Sequence, residues 1–507
     1  MALLACGHHR PAGDGATVAT PEPAIRVQLE VPEQPEQPLR VTVQGTFHRD
    51  RTVIRAAPAA VGGYQPIPFG RFIGGVTAFD AGGQPLPVTV VTEGEWLVQG
   101  ALARLHYEVL TRLQDENLFD LTLSTHRRPG HGLISGYATH VMVEGFAKRR
   151  HELTVVVPRG WRVASALPRL EGELPRFAAS GSLELMDEPL MVGTVFQTRV
   201  IPATAGAVGG AVHLYSADPA HSAAQLDALA KASEQATRGI RQLGLPALDR
   251  PYHVFVEMFP PVEGRQYGWA MEHGHSMVAL ETEGAYRSAD VKLTYHLAHH
   301  MLHSWIPRRL YTESLRPEAQ LRGGATPALW FAEGLSQYLT LVALSRAGVV
   351  APDRALQLLA ERFARLYIES APPTPRSMAE HSRIVCGGEH EYWRYGFAAG
   401  ALLAFLIDQE MHRASGGGDG LPEAMSQLFG DWRDHARGIP DQRLARVLGE
   451  AGGVDLAPWF AAHVDGATPL DVAAILAPLG ILPEGDRFVV APAPPAPVQV
   501  LRDAIFR

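Results

Sequence analysis

Up to about Pro202 the apolar residues alternate in short runs, among them Val41-Thr-Val-Gln-Gly, Leu153-Thr-Val-Val-Val and Gly193-Thr-Val-Phe-Gln. From Ser222 onward they recur at helical spacing. Alternation is the signature of half-buried strands, and a three-to-four spacing that of amphipathic helices. A chain whose period changes in this way places most of its strands before its helices. The fold class expected is therefore α+β and multidomain, with an N-terminal antiparallel β domain over 25–203. Helices are predicted over 224–243, 291–305, 327–347, 352–368, 392–411 and 421–429, with a strand pair at 252–258 and 276–280. This places a middle unit at 204–348, a C-terminal α-helical domain at 349–482 and a Pro-rich tail with one terminal strand at 483–507. A length of 507 residues agrees with about three domains of roughly 150 residues.

Charge narrows the partners. The formal net charge of -8 lacks the clustered positive field that nucleic-acid binding needs, so no nucleic-acid partner is expected. Two cysteines cannot build a disulfide framework. Cys386 has no assignable histidine partner and is expected to be a bystander. Cys6 lies in Leu3-Leu4-Ala5-Cys6-Gly7, which resembles the end of a bacterial lipoprotein signal. A lipid anchor at Cys6, a linker over 1–24 and a place in the bacterial cell envelope follow as expectations, with a cytoplasmic location as the alternative. No run reaches the ~18 apolar residues of a membrane span, and the most apolar one, 397–407, is expected to be a buried helix.

Chemistry concentrates in Tyr295-His-Leu-Ala-His-His-Met-Leu-His-Ser-Trp305. On a helix His299 and His303 lie one turn apart on the same face, which suits a single zinc ion. The segment Trp330-Phe-Ala-Glu333-Gly-Leu-Ser-Gln-Tyr338 offers Glu333, a carboxylate in apolar surroundings, as the third ligand. The alternative is a solvated stripe of His296, His299, His300 and His303, with Glu333 paired to an arginine.

These segments resemble the glycyl aminopeptidases, metallopeptidase family sixty-one of the gluzincin group, whose ligand helix reads H-E-x-x-H-x-W and is followed by W-x-x-E-G-x-x-x-Y. The chain matches at His299, His303, Trp305, Trp330, Glu333, Gly334 and Tyr338, and Gly63-Tyr64 with Arg71 is similar to the family's P-G-S-Y-x-x-R. The resemblance implies a thermolysin-like metal-binding domain over 204–348 and a zinc cofactor; the PDZ module of many members is not expected here. It also implies that Trp269-Ala270-Met271-Glu272-His273 is the edge strand that receives substrate. Glu272 would there read the free amino terminus of a peptide or protein through a charge-assisted hydrogen bond. Otherwise Glu272 is a strand-end carboxylate facing water.

Three positions depart from the family pattern. The residue after the first ligand, a glutamate that takes a proton from the attacking water in H-E-x-x-H enzymes, is His300. Beside a divalent cation a protonated imidazole is disfavoured, and losing a general base is worth roughly 10²–10⁴-fold in rate. Matching Gly400 to the family's Y-x-K-G segment puts Phe397 where a tyrosine hydroxyl meets the oxyanion, and Tyr395, two residues away, is the possible substitute. Trp269 replaces a glycine that lets substrate backbone approach. The expectation is a zinc-retaining pseudopeptidase that binds peptides through its cleft. The competing readings are an active hydrolase using His300 as base and an envelope lipoprotein acting through its β domain.

Overall fold

The computed structural model describes residues 22–507 except 65, 112–121, 205–208, 262–267, 289, 387–392, 434, 436 and 486. Cys6 and its signal-like context lie outside the described residues.

The N-terminal strands behave as their period dictates. Ile25–Glu30 and Leu39–Gln44 alternate buried and open positions, and Val27, Leu29, Val41 and Val43 point into one apolar core. Eight strands form the main sheet, and two four-stranded sheets complete this part of the fold. One neighbouring pair departs from the antiparallel expectation, because Ile25–Glu30 runs parallel to His151–Val156. Alternation reports which face a side chain takes and carries nothing about the direction of the neighbour.

The middle sheet has five strands, in the order Gln197–Ile201, Gly210–Ser216, Tyr252–Phe259, Ser276–Thr282, Gly268–Glu272. Its first strand precedes residue 203, so the boundary expected there falls one strand late. The inner three strands are parallel, and Tyr252–Phe259 and Ser276–Thr282 are buried almost throughout, as parallel strands covered on both faces are. Gly268–Glu272 returns antiparallel along the outside and forms an edge of the sheet.

The helix predicted from 224 begins earlier, as Pro219–Ile240. Asp218 caps it by accepting from the Ala220 amide at 3.0 Å, and Pro219 occupies the first turn, signals that apolar periodicity alone misses. Gly244, at φ 67°, closes the 3₁₀ turn that follows. The helices after the sheet include Val291–Leu302, Leu335–Arg346, Pro352–Leu358, Trp393–Ala414 and Leu421–Trp432, with π-helical turns among them at Trp330–Gly334 and Leu359–Ala364. They share one large core with the middle sheet. None is long and apolar enough to cross a membrane.

The expected tail is instead structured. Ile481–Glu484 and Arg487–Val490 pair as a hairpin, and Ala496–Phe506 is a helix whose Ile505 and Phe506 are buried in the large core. Pro495 and Pro497 do not break this helix, because they stand at its N-cap and in its first turn, where an amide donor has no partner within the helix.

Candidate metal centre

Helix Val291–Leu302 starts where the Asp290 carboxylate accepts from the Leu293 amide at 2.9 Å. It sinks Leu293, Leu297, Ala298 and Met301 into the core, which turns His299 towards the neighbouring helix. His303 is the helix C-cap and keeps helical angles, φ −62° and ψ −17°, so the one-turn stacking with His299 holds. Glu333 comes from the π-helical turn Trp330–Gly334, a helix irregularity that recurs at functional sites. Beside it Gly334 presses on Gly400 of helix Trp393–Ala414: a Cβ on Gly334 would stand 2.4 Å from the Gly400 Cα. Only glycine at both positions lets the two backbones meet.

Three ligand atoms converge. His299 Nε2 is 3.2 Å from His303 Nε2, and Glu333 Oε2 is 3.3 Å from the former and 3.4 Å from the latter. Tetrahedral zinc with bonds of about 2.0–2.1 Å holds its ligand atoms about 3.3 Å apart, so this triangle fits the ion. Among the described residues this is the only such group of three. The His303 Nδ1–H donates to the Ile306 carbonyl at 2.8 Å, which leaves the Nε2 lone pair for the metal.

The sequence model of the M61 peptidase N-terminal domain matches residues 25–194, and that of the M61 glycyl aminopeptidase domain matches 292–393. The chain belongs to the M61 glycyl aminopeptidase family. No curated protein matches it in sequence. Among solved structures this M61 chain is similar to an aminopeptidase N family protein from Idiomarina loihiensis, with TM-score 0.75 and 20% identity over 90% of this chain and 78% of that one. It is also similar to an M1 zinc metallopeptidase from Deinococcus radiodurans, with TM-score 0.51 and 14% identity over 89% and 95% of the two chains. A mutant of that enzyme bound to a Tyr-Ser-Ala substrate gives TM-score 0.54 and 15% identity, over 89% and 95%. At these identities the likeness is one of fold.

Without a cation, the M61 site carries its own charge. Burial and the neighbouring His303 charge push His299 down to about 4. Burial would lower His303 too, but the Glu333 and Glu272 carboxylates outweigh it and raise His303 to about 9. Burial opposes ionisation of Glu333, yet His303 and the His299 hydrogen bond hold it well below the usual carboxylate range.

Around the triangle opens a cleft of about 1110 Å³ lined by both ligand elements and the edge strand. His300 lines it, with Nδ1 3.4 Å from Glu272 Oε2. Glu272 is only 4% exposed, so the water-facing alternative fails. Burial alone would raise its pKa, but the His303 charge and His300 keep it below the ordinary value. Met271 is buried against the β-domain core, while Trp269 and Ala270 are half-buried in the cleft wall. Trp269 meets Trp393 at 5.6 Å between ring centroids, and Trp393 meets Phe397 edge-on at 4.8 Å. An aromatic row therefore crosses from the edge strand to helix Trp393–Ala414, and Phe397 brings no hydrogen-bond donor to it.

Tyr395 does not replace that donor. Its ring stacks on Tyr367 at 4.9 Å and its hydroxyl lies 3.3 Å from the Tyr367 hydroxyl, inside the helical core and off the cleft. Residues two apart on a helix project about 200° apart, so one cannot stand in for the other. Cys386 is buried, and burial pushes its thiol up to about 11, which makes it a poor nucleophile.

Motif matching singled out neither Gln337 nor Arg308. The Gln337 amide lies one turn beyond Glu333, with its Nε2 3.0 Å from His299 Nε2 and its oxygen 2.7 Å from the Tyr295 hydroxyl. The i+4 spacing from Glu333 was the available signal. Half-buried Arg308 binds Asp187 Oδ1 at 2.6 Å, the Glu272 carbonyl at 2.6 Å and the Val61 carbonyl at 3.0 Å. It ties the edge strand to the β domain across more than two hundred residues of chain, and nothing local in the sequence announces that.

Proposed function

We propose that this M61 family member binds zinc through His299, His303 and Glu333, has impaired peptidase chemistry, and holds peptide or protein N-termini in its cleft with Glu272 facing the amino group. Zinc in such a site supplies Lewis acidity to a carbonyl or a water. The chain's own residues must then move the proton and meet the oxyanion, and here they are poorly suited to both. One observation carries the reading: the ligand triangle has zinc dimensions, while the positions beside it present an imidazole, His300, and a ring without a donor, Phe397.

A second reading, an active hydrolase, is favoured by the His300–Glu272 pair. A carboxylate at Nδ1 orients the imidazole and turns Nε2 to the cleft. The two separate in one experiment. The purified protein should contain close to one zinc per chain and show no turnover of aminoacyl reporters, and the combined His300→Glu and Phe397→Tyr variant should gain activity by on the order of a hundredfold or more. Zinc-dependent cleavage by the natural sequence that His300→Ala abolishes would establish the active hydrolase instead.

A further inference from the structure

The β domain reaches into this centre through the loop 61–64. Tyr64 has φ 52°, and among the described residues no other non-glycine residue has a positive φ. Side chains tolerate that region poorly, and such conformations gather where function holds them. Three contacts pin the loop. The Val61 carbonyl accepts from Arg308, the Gly62 amide donates to Gln320 Oε1 at 2.8 Å, and Gly62, at φ 84°, lies so close to Glu272 that a Cβ would come within 2.2 Å of Oε1. The result turns the Tyr64 side chain into the cleft.

There its hydroxyl is buried without a formed hydrogen bond, and it feels the charges of Glu333 and Glu272, with Arg308 opposing them. A buried hydroxyl left in this state costs free energy unless a hydrogen bond satisfies it. Glu333 turns Oε2 to both imidazoles, which leaves its second oxygen to an outer donor. Carboxylate ligands of metals are ordinarily held by such a donor.

We infer that Tyr64 is a positioning residue of the metal centre: its hydroxyl donates to the outer oxygen of Glu333, so the N-terminal β domain completes the site built by the helices. This rests on the zinc reading above. A merely structural tyrosine would fill space; a positioning one sets the affinity and geometry of the metal.

The test uses the full chain. Zinc affinity is measured by competition with a chelator, and cobalt(II) replaces zinc to give a visible spectrum that reports ligand geometry. Tyr64→Phe keeps the ring and removes only the hydroxyl. It should weaken zinc binding by roughly 10–100-fold and alter the cobalt bands, with the melting temperature of the metal-free protein unchanged. Gly62→Ala, which must push the loop off Glu272, should weaken binding in the same direction even if Tyr64→Phe proves unstable. Natural affinity and a superimposable cobalt spectrum in either folded variant overturn the role of Tyr64 and leave the zinc site standing. A natural protein that takes up no zinc or cobalt overturns both.

Discussion

His299 and His303 need little help from elsewhere to face one ion. Four residues on a helix return a side chain to the same face, so the 3.2 Å between their Nε2 atoms is nearly local geometry. Glu333 is different. Its arrival at 3.3 and 3.4 Å from those nitrogens depends on a π-helical turn of a separate helix. If the three act together, metal contributes folding free energy by binding only the native state. His299→Ala should therefore contain no zinc, melt several degrees below the natural protein and ignore EDTA, whereas EDTA should lower the natural melting temperature to the same value. Differential scanning fluorimetry with and without chelator decides it, and a chelator-insensitive natural protein would sink the claim.

At the level of elements, the ligand-bearing π-helical turn is held by the approach of Gly334 to Gly400. A Cβ on Gly400 would stand 2.7 Å from the Trp330 carbonyl and 2.9 Å from the Gly334 Cα. Gly400→Ala must force helix Trp393–Ala414 away from the turn. Overpacking of this kind costs about 1–3 kcal/mol, and the displacement carries Glu333 off the ion. The expected outcome is a lower urea midpoint together with reduced zinc occupancy; a variant that loses neither shows that the backbones have room to spare. The same close approach explains why a glycine stands there even though Phe397, one turn earlier, has lost the hydroxyl expected beside it.

Over the whole molecule, stability should depend on pH through buried histidines. Burial pushes His140 down to about 3, His151 to about 4 and His213 to about 3, and all three are 3–4% exposed. An unfolded histidine titrates near 6.5. Between pH 6.5 and about 4 the unfolded chain therefore binds more protons, and stability falls as pH falls, by up to about 1.4 kcal/mol per pH unit for each group. Glu257, held below the usual carboxylate range against its burial by His126 and His131, changes its proton affinity in the same direction but at lower pH. Its contribution is full above the unfolded carboxylate pKa and is lost only at lower pH, so it does not offset the histidines. His303, raised to about 9 in the metal-free site, contributes fully below 6.5 and adds no slope there. Urea midpoints at pH 7 and pH 5 should differ clearly, and a flat profile would refute the assignment.

What the sequence by itself determined was local: the switch of period that separates strands from helices, the i,i+4 imidazoles, the apolar setting of Glu333 and the substitution of His300 for a glutamate. Each is a relation among residues within a few turns of chain, where helix and strand geometry dictate the outcome. The parallel pairing of Ile25–Glu30 with His151–Val156, the C-terminal helix that carries Phe506 into the core, the retreat of Tyr395 and the clamp of Arg308 on Val61 were decided only by tertiary structure. These contacts join segments far apart in the chain. Their free energy comes from burial and hydrogen bonds that exist only after the chain has packed, so no local pattern encodes them.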